Sequence, residues 1–246
     1  MSLPNAQDIY DVIEKTWPPA GRQTLGGWVI RSGQGGGKRV SAATCDAPGL
    51  PDIALAETAM ETLDQAPLFM IREGEATLDK ALQARGYSVI DPTTMYACPI
   101  DLLTATQPPP MTGFAIWPPL AIARDLWAAG GIGPARVAVM ERVTVPKVSL
   151  LARAKDRAAG VAFVAIQRKT AMIHALEVAP TLRRNGVAIN IMRHAAIWAQ
   201  NQGATYFSLV VTDANLAANA LYSKLGMTVV GHYHYRIRGK NDGPRQ

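Results

Sequence analysis

The chain has 246 residues, of which 48% are hydrophobic and 18% charged, a balance that supports a buried core in one large domain or two small ones. Its formal charge of +6 is spread over single and paired lysines and arginines rather than a stripe with interleaved aromatics. That pattern weighs against nucleic acid and fits a small polyanionic ligand.

No run of about 18 uncharged apolar residues occurs. The segment MSLPNAQDIYDVIEK has neither the basic region nor the apolar core of a signal peptide. The two cysteines, Cys45 and Cys98, form no CxxC and no Cys/His cluster. These features predict a soluble cytoplasmic protein with no membrane segment, no disulfide framework and no metal.

In chain order, GGWVIRSGQGGGKRVSAATC reads as two strands around a Gly-rich turn. The run lacks the spacing of a phosphate-binding P-loop, and Arg39 follows Lys38 where a hydroxyl is required. A helix is predicted at PDIALAETAMETLDQ, a strand at PLFMIRE, a helix at ATLDKALQARG and a strand at YSVIDPTTMYACPI. The prolines of TATQPPPMTG, residues 104–113, mark a domain boundary, giving domains 1–105 and 106–246. Beyond it come a strand near FAIWPP, helices over LAIARDLWAAGG and GPARVAVMERV, and strands VSLLARAK and GVAFVAIQR joined by the turn DRAA. Strand AMIHALEV, a helix over 184–202, strand YFSLVVT, helix ANLAANALYSKLG and strand MTVVGHYHYRIR complete a mixed α/β order. The stretches LDKALQARGYSVI and NALYSKLGMTVV both run from an amphipathic helix through a glycine into a strand. Common ancestry of the halves and coincidence both accommodate that match.

The chemistry gathers in the second half. In LEVAPTLRRNGVA a strand ends at a proline and a helix starts within an arginine pair. The first N–H groups of a helix lack internal acceptors and carry the positive end of the dipole, so the turn can cradle a phosphate. Gly186 lets the backbone approach closely, and Ala188 is small. In the next helix Asn215, Ala218 and Tyr222 are spaced i, i+3 and i+7 and share a face, leaving a groove between an amide and a phenol.

These two motifs, R-x-x-G-x-A and N-x-x-A-x-x-L-Y-x-K-L-G-M, resemble those of the GNAT family of acyl-CoA-dependent N-acetyltransferases over roughly 114–236. Ala188 stands where the family often has glycine. The resemblance implies a GNAT fold in the second half and acetyl-CoA as cosubstrate. Backbone amides from Arg184 through Asn185, Gly186 and Val187 to Ala188 would hold the pyrophosphate, with Arg183 opening the loop. Leu176 and Val178 would face the pantetheine arm, the Val178 N–H polarising the thioester carbonyl. Asn215 and Ala218 would border the arm, and Tyr222 would protonate the departing thiolate.

The implied acceptor is a primary amine of a small molecule or peptide, and its base would be His174 or Glu177, directly or through water. Strand alternation puts His174 on the face of Leu176 and Val178, with Glu177 opposite. Arylalkylamine-acetylating members with a histidine at this position favour His174; a hydrogen-bonded strand histidine is the alternative. His232 and His234 are candidates for the acceptor pocket or simply a polar strand face, and His194 is expected to face solvent. In the first half Gly86 matches Gly226, so Leu82 takes the place of Tyr222, and no R-x-x-G-x-A turn precedes it. That half therefore reads as a degenerate GNAT-like domain. A non-catalytic acyl-CoA-binding or regulatory module is the competing reading, and monomer and homodimer are both open.

Overall fold

The structure, a computed structural model, describes residues 2–238. It begins with helix α1 (Ala6–Thr16), strands β1 (Gly21–Leu25), β2 (Trp28–Ser32) and β3 (Thr44–Cys45), helix α2 (Ile53–Thr62), strand β4 (Leu68–Arg72), helix α3 (Ala76–Ala84) and strand β5 (Tyr87–Pro99). Then come helix α4 (Asp101–Thr104), strand β6 (Gly113–Ile116), helices α5 (Ala121–Ala129) and α6 (Pro134–Arg142), and strands β7 (Lys147–Ala154), β8 (Arg157–Gln167) and β9 (Thr170–Val178). Helix α7 (Val187–Asn201), strand β10 (Tyr206–Thr212), helix α8 (Leu216–Lys224) and strand β11 (Thr228–Arg238) close the chain.

The helices and strands expected from residue 51 onward are all present. Helix α1 and strand β1 were not expected, although α1 carries a local signal. Asn5 accepts from the Asp8 N–H while Asp8 accepts from the Asn5 N–H, a reciprocal cap, and Ile9, Val12, Ile13 and Thr16 form its buried stripe. The strands flanking the Gly-rich run are β2 and β3, paired antiparallel through Trp28–Cys45 and Val29–Thr44. The β7–β8 turn lies at Lys155 and Asp156, both of positive φ, one residue before the expected DRAA.

The chain divides into two compact units, neither of them a continuous half. The first comprises residues up to Pro18, Met95–Val211 and Asn215–Val230, so the proline-rich 104–113 stretch lies inside it. Its strand order is β5-β10-β9-β8-β7-β6. The second comprises Pro19–Thr94, Thr212–Ala214 and the chain from Gly231. It holds the β1-β2-β3 sheet and the antiparallel pairing of β11 with β4, from Tyr233–Arg72 to Ile237–Leu68. Its core gathers Trp28, Phe69 and Leu82, all fully buried.

In the first unit each face of the sheet is covered. Val187, Ile191, Ala195 and Ala199 of α7 pack on Ala162, Val164 and Ile173. The other face carries Phe163, whose ring lies 6.2 Å from Trp17 and 5.7 Å from Trp117. His174 belongs to this second layer, stacked on Trp17 at 4.9 Å. The Thr16 hydroxyl donates to Val12 O at 2.7 Å and therefore accepts from His174 Nε2 at 2.9 Å, which makes Nε2 the protonated nitrogen. Thr16→Val should leave that buried N–H without its acceptor and lower unfolding free energy by about 1–3 kcal/mol in denaturant titrations.

Candidate functional site

Strand β9 sets the geometry. It pairs in parallel with β10 only from Thr170–Tyr206 to Met172–Ser208, and from Ile173 onward its edge on that side has no β10 partner. On its other side it pairs with β8, and there the register slips: Val161 faces Glu177, but Phe163 faces His174. Two residues of β8 thus span three of β9, a bulge at Ala175, whose φ is 51°.

The bulge reverses the expected alternation. Residues directly opposite in an antiparallel pair point to the same face, so His174 and Glu177 share the face of Val161 and Phe163, while Val178 lies on the other with Gly160. One extra residue accounts for the difference.

The splayed strand end opens a groove of about 800 Å³ in the first unit. Leu176, Glu177 and Val178 form one wall. Arg183, Arg184, Gly186, Val187 and Ala188 line the end where α7 begins, and Asn215, Ala218 and Tyr222 line the α8 side. Of the residues expected at the cosubstrate, Asn185 alone is turned back, its Nδ2 donating to Leu182 O and Arg183 O. His174 lines no part of the groove: it is 5% exposed and engaged by Thr16.

The N-terminus of α7 suits an anion. Its N-cap, Gly186, has φ 75°, and no side chain caps the helix. A Cβ on Gly186 would meet nothing within 4 Å, so glycine is needed there for its backbone sign and not for space. Helix α2 offers a contrast: there Asp52 Oδ1 accepts from the Ala54 N–H at 2.9 Å, so a carboxylate caps the first turn.

Tyr222 is 7% exposed, and burial pushes its phenol up to about 12, so it stays protonated far above neutral pH. Its ring lies 5.8 Å from that of Tyr96, whose hydroxyl donates to Asn219 Oδ1 at 3.1 Å. Asn215 caps α8, its Oδ1 accepting from the Ala218 N–H at 3.2 Å. Glu177 is held by the Arg183 guanidinium, with Nη2 to Oε1 at 2.9 Å, while Arg183 Nε donates to Val178 O at 3.1 Å. Sequence reasoning missed this pair and Tyr96, because neither follows from local spacing.

The remaining histidines do not line this groove. His194 is half-buried, its Nε2 3.0 Å from Thr112 Oγ1 and its ring against Gly113, where a Cβ would sit 2.3 Å from His194 Cδ2. Burial lowers its basicity, and the expected solvent-facing role is corrected. In the second unit His234 Nε2 meets Asp79 Oδ1 at 2.8 Å, and the His232 N–H donates to Glu73 Oε1 at 2.7 Å. The Arg236 fork, with help from His234, holds the Asp79 carboxyl below its ordinary range. Among the described residues no helix is long and apolar enough to cross a membrane, and no group of three His, Cys, Asp or Glu side chains gathers as a metal site.

A mixed sheet whose parallel pair splays beneath an uncapped helix, with a buried tyrosine across the gap, leaves a groove with an elongated strand edge on one wall and the positive end of a helix dipole at one end. Comparison with known proteins gives a likeness: residues 131–227 match the acetyltransferase (GNAT) family model. It is 25% identical over 234 residues to the uncharacterized N-acetyltransferase YobR of Bacillus subtilis (strain 168), covering 91% of this chain and 94% of that one. It superposes on a GCN5-related N-acetyltransferase from Kribbella flavida with TM-score 0.66 at 18% identity, over 96% of each chain. A tandem GNAT protein from the clavulanic acid biosynthesis pathway gives TM-score 0.61 at 15% identity, covering 96% of this chain and 89% of that one. Acetyl-CoA-dependent N-acetyl transfer is general to the family.

Gly160 is closely enclosed beneath the site. A Cβ there would lie 2.8 Å from Glu177 O and 3.2 Å from Val187 Cγ1. Gly160→Ala should therefore push α7 away from β9, lowering stability by about 1–3 kcal/mol and weakening coenzyme A binding by calorimetry, whereas Gly21→Ala, with only Ser32 Cβ at 3.6 Å, should do neither.

Proposed function

We propose that the chain transfers an acetyl group from acetyl-CoA to a primary amine of a small molecule or peptide, by direct attack in a ternary complex. The observation that carries this reading is the sharing of one groove by the uncapped start of α7, the unpaired end of β9 and the buried Tyr222. A binder of anions would need only the first of these.

The cosubstrate supplies an acetyl thioester. Amides from Arg184 to Ala188 would hold its pyrophosphate at the positive end of α7. Leu176 and Val178 would border the pantetheine arm, the Val178 N–H polarising the thioester carbonyl. Asn215, being occupied as a helix cap, would border the arm mainly through its position beside Ala218.

Glu177, at the groove wall, is the base in this reading. It takes one proton from the incoming ammonium, directly or through water; the freed nitrogen bonds to the acetyl carbon and the C–S bond breaks. The nitrogen's second proton ends on sulfur, giving free thiol. Tyr222 donates a hydrogen bond to the sulfur as it gains charge. A phenol held near 12 is a weaker acid than an ordinary thiol near ~8.5, so its part is stabilisation more than outright transfer. His174 is assigned a structural part because its Nε2 proton is committed to Thr16.

Thiol release from acetyl-CoA should be measured with spermidine, tryptamine, free amino acids and a lysine-containing peptide. Tyr222→Phe should keep coenzyme A affinity and lose about 10²-fold or more in kcat, as removal of one stabilising donor does. Because burial raises the phenol, wild-type turnover should show no fall from Tyr222 ionisation until the pH nears 12, where the donor is lost. Tight coenzyme A binding with no thiol release for any acceptor would favour a binding or regulatory module instead.

A further inference from the structure

The geometry points to Gly130, at the end of α5, as a positioning residue that fixes where the Glu177 carboxylate stands. This rests on Glu177 acting as the base.

Gly130 closes α5, its N–H bonded to Leu126 O and Trp127 O, with φ −86° and ψ 8°. Any residue adopts that backbone, so conformation does not explain glycine here. Space does. A Cβ at Gly130 would lie 2.5 Å from Glu177 Cγ, 2.7 Å from its Cδ and 2.9 Å from Oε2. The carboxylate can occupy its place only because residue 130 has no side chain, and the atoms that would give way are the far end of Glu177 itself.

A second contact ties the same helix to the same strand. Trp127, fully buried one turn earlier, donates from Nε1 to Ala175 O at 2.8 Å, at the bulge that turns Glu177 toward its face. From the other side the Arg183 guanidinium grips Oε1 at 2.9 Å. Glu177 thus stands between the Arg183 guanidinium, which reaches it through one hydrogen bond, and the end of α5, where Gly130 leaves the space it occupies. Displacing a reacting group by about 1 Å costs on the order of 10²-fold in rate, so the close approach is a rate-determining feature of the site and not a packing accident.

The test is a kinetic double-mutant cycle of Gly130→Ala and Glu177→Gln, with acetyl-CoA and whichever amine of the panel releases thiol fastest, or water as acceptor where none exceeds hydrolysis. Gly130→Ala should lower kcat about 10- to 100-fold with the KM for acetyl-CoA unchanged. It should not lower the Tm, since alanine suits a helix end at least as well as glycine. In the Glu177→Gln background the same change should cost nothing further, because the misplaced group is no longer a base. Trp127→Phe, which keeps a smaller aromatic ring and loses the indole donor, should reproduce the kcat loss in milder form. Wild-type kcat in Gly130→Ala beside a crippled Glu177→Gln overturns the positioning role alone, as do additive losses in the double variant. Wild-type turnover in Glu177→Gln removes the base assignment, and this inference with it.

Discussion

The separation of β9 from β10 after Met172 is the constraint from which the site follows. A strand that leaves its neighbour exposes backbone groups that must find partners elsewhere. Two are met from outside the sheet: the indole of Trp127 takes Ala175 O, and Arg183 takes Val178 O. The opening that makes a groove therefore also recruits the elements that shape it. α5 is drawn in by the bulge, and the loop after β9 folds back along the strand it has just left. An extended ligand arm laid in the gap would meet a strand edge that the sheet has already given up.

The two halves of the chain show how little separates an open helix start from a capped one. Both run strand, helix, strand, helix, strand, with α2 and α3 followed by β5 as α7 and α8 are followed by β11. The helix that starts each series differs at one point. Asp52 puts a carboxylate oxygen on the Ala54 N–H, whereas Gly186 leaves the first turn of α7 without a side-chain cap. A capping carboxylate satisfies the donors and places negative charge where an anion would go, so it stabilises the helix and excludes a phosphate at once. The residue matching Tyr222 follows suit: Leu82 is wholly buried in an apolar core.

What the sequence made legible was local. The R-x-x-G-x-A turn and the Asn215, Ala218, Tyr222 face depend on helix starts and i, i+3, i+7 spacing, and the structure brings them to one groove. What it hid was long-range or a matter of parity. Ala175 adopts a left-handed backbone without being glycine, so nothing in AMIHALEV marks the bulge that moves His174 to the face of Glu177. The hydroxyl that engages His174 is 158 residues away on α1. Nothing in LAIARDLWAAGG marks Gly130, since what a side chain there would meet is Glu177, 47 positions on.

That arrangement also explains how a carboxylate can stand at the wall of a groove suited to an anion. Glu177 alone would repel a phosphate-bearing ligand entering beside it; with Arg183 at 2.9 Å the local pair is close to neutral. The Arg183 side chain is 58% exposed, and exposed pairs of this kind hold weakly in water. The guanidinium can thus turn toward an incoming anion at little cost, while the space the carboxylate occupies is left by Gly130 whatever the charge around it. Charge balance beside this strand end is therefore adjustable, whereas the room beside α5 is set by the backbone.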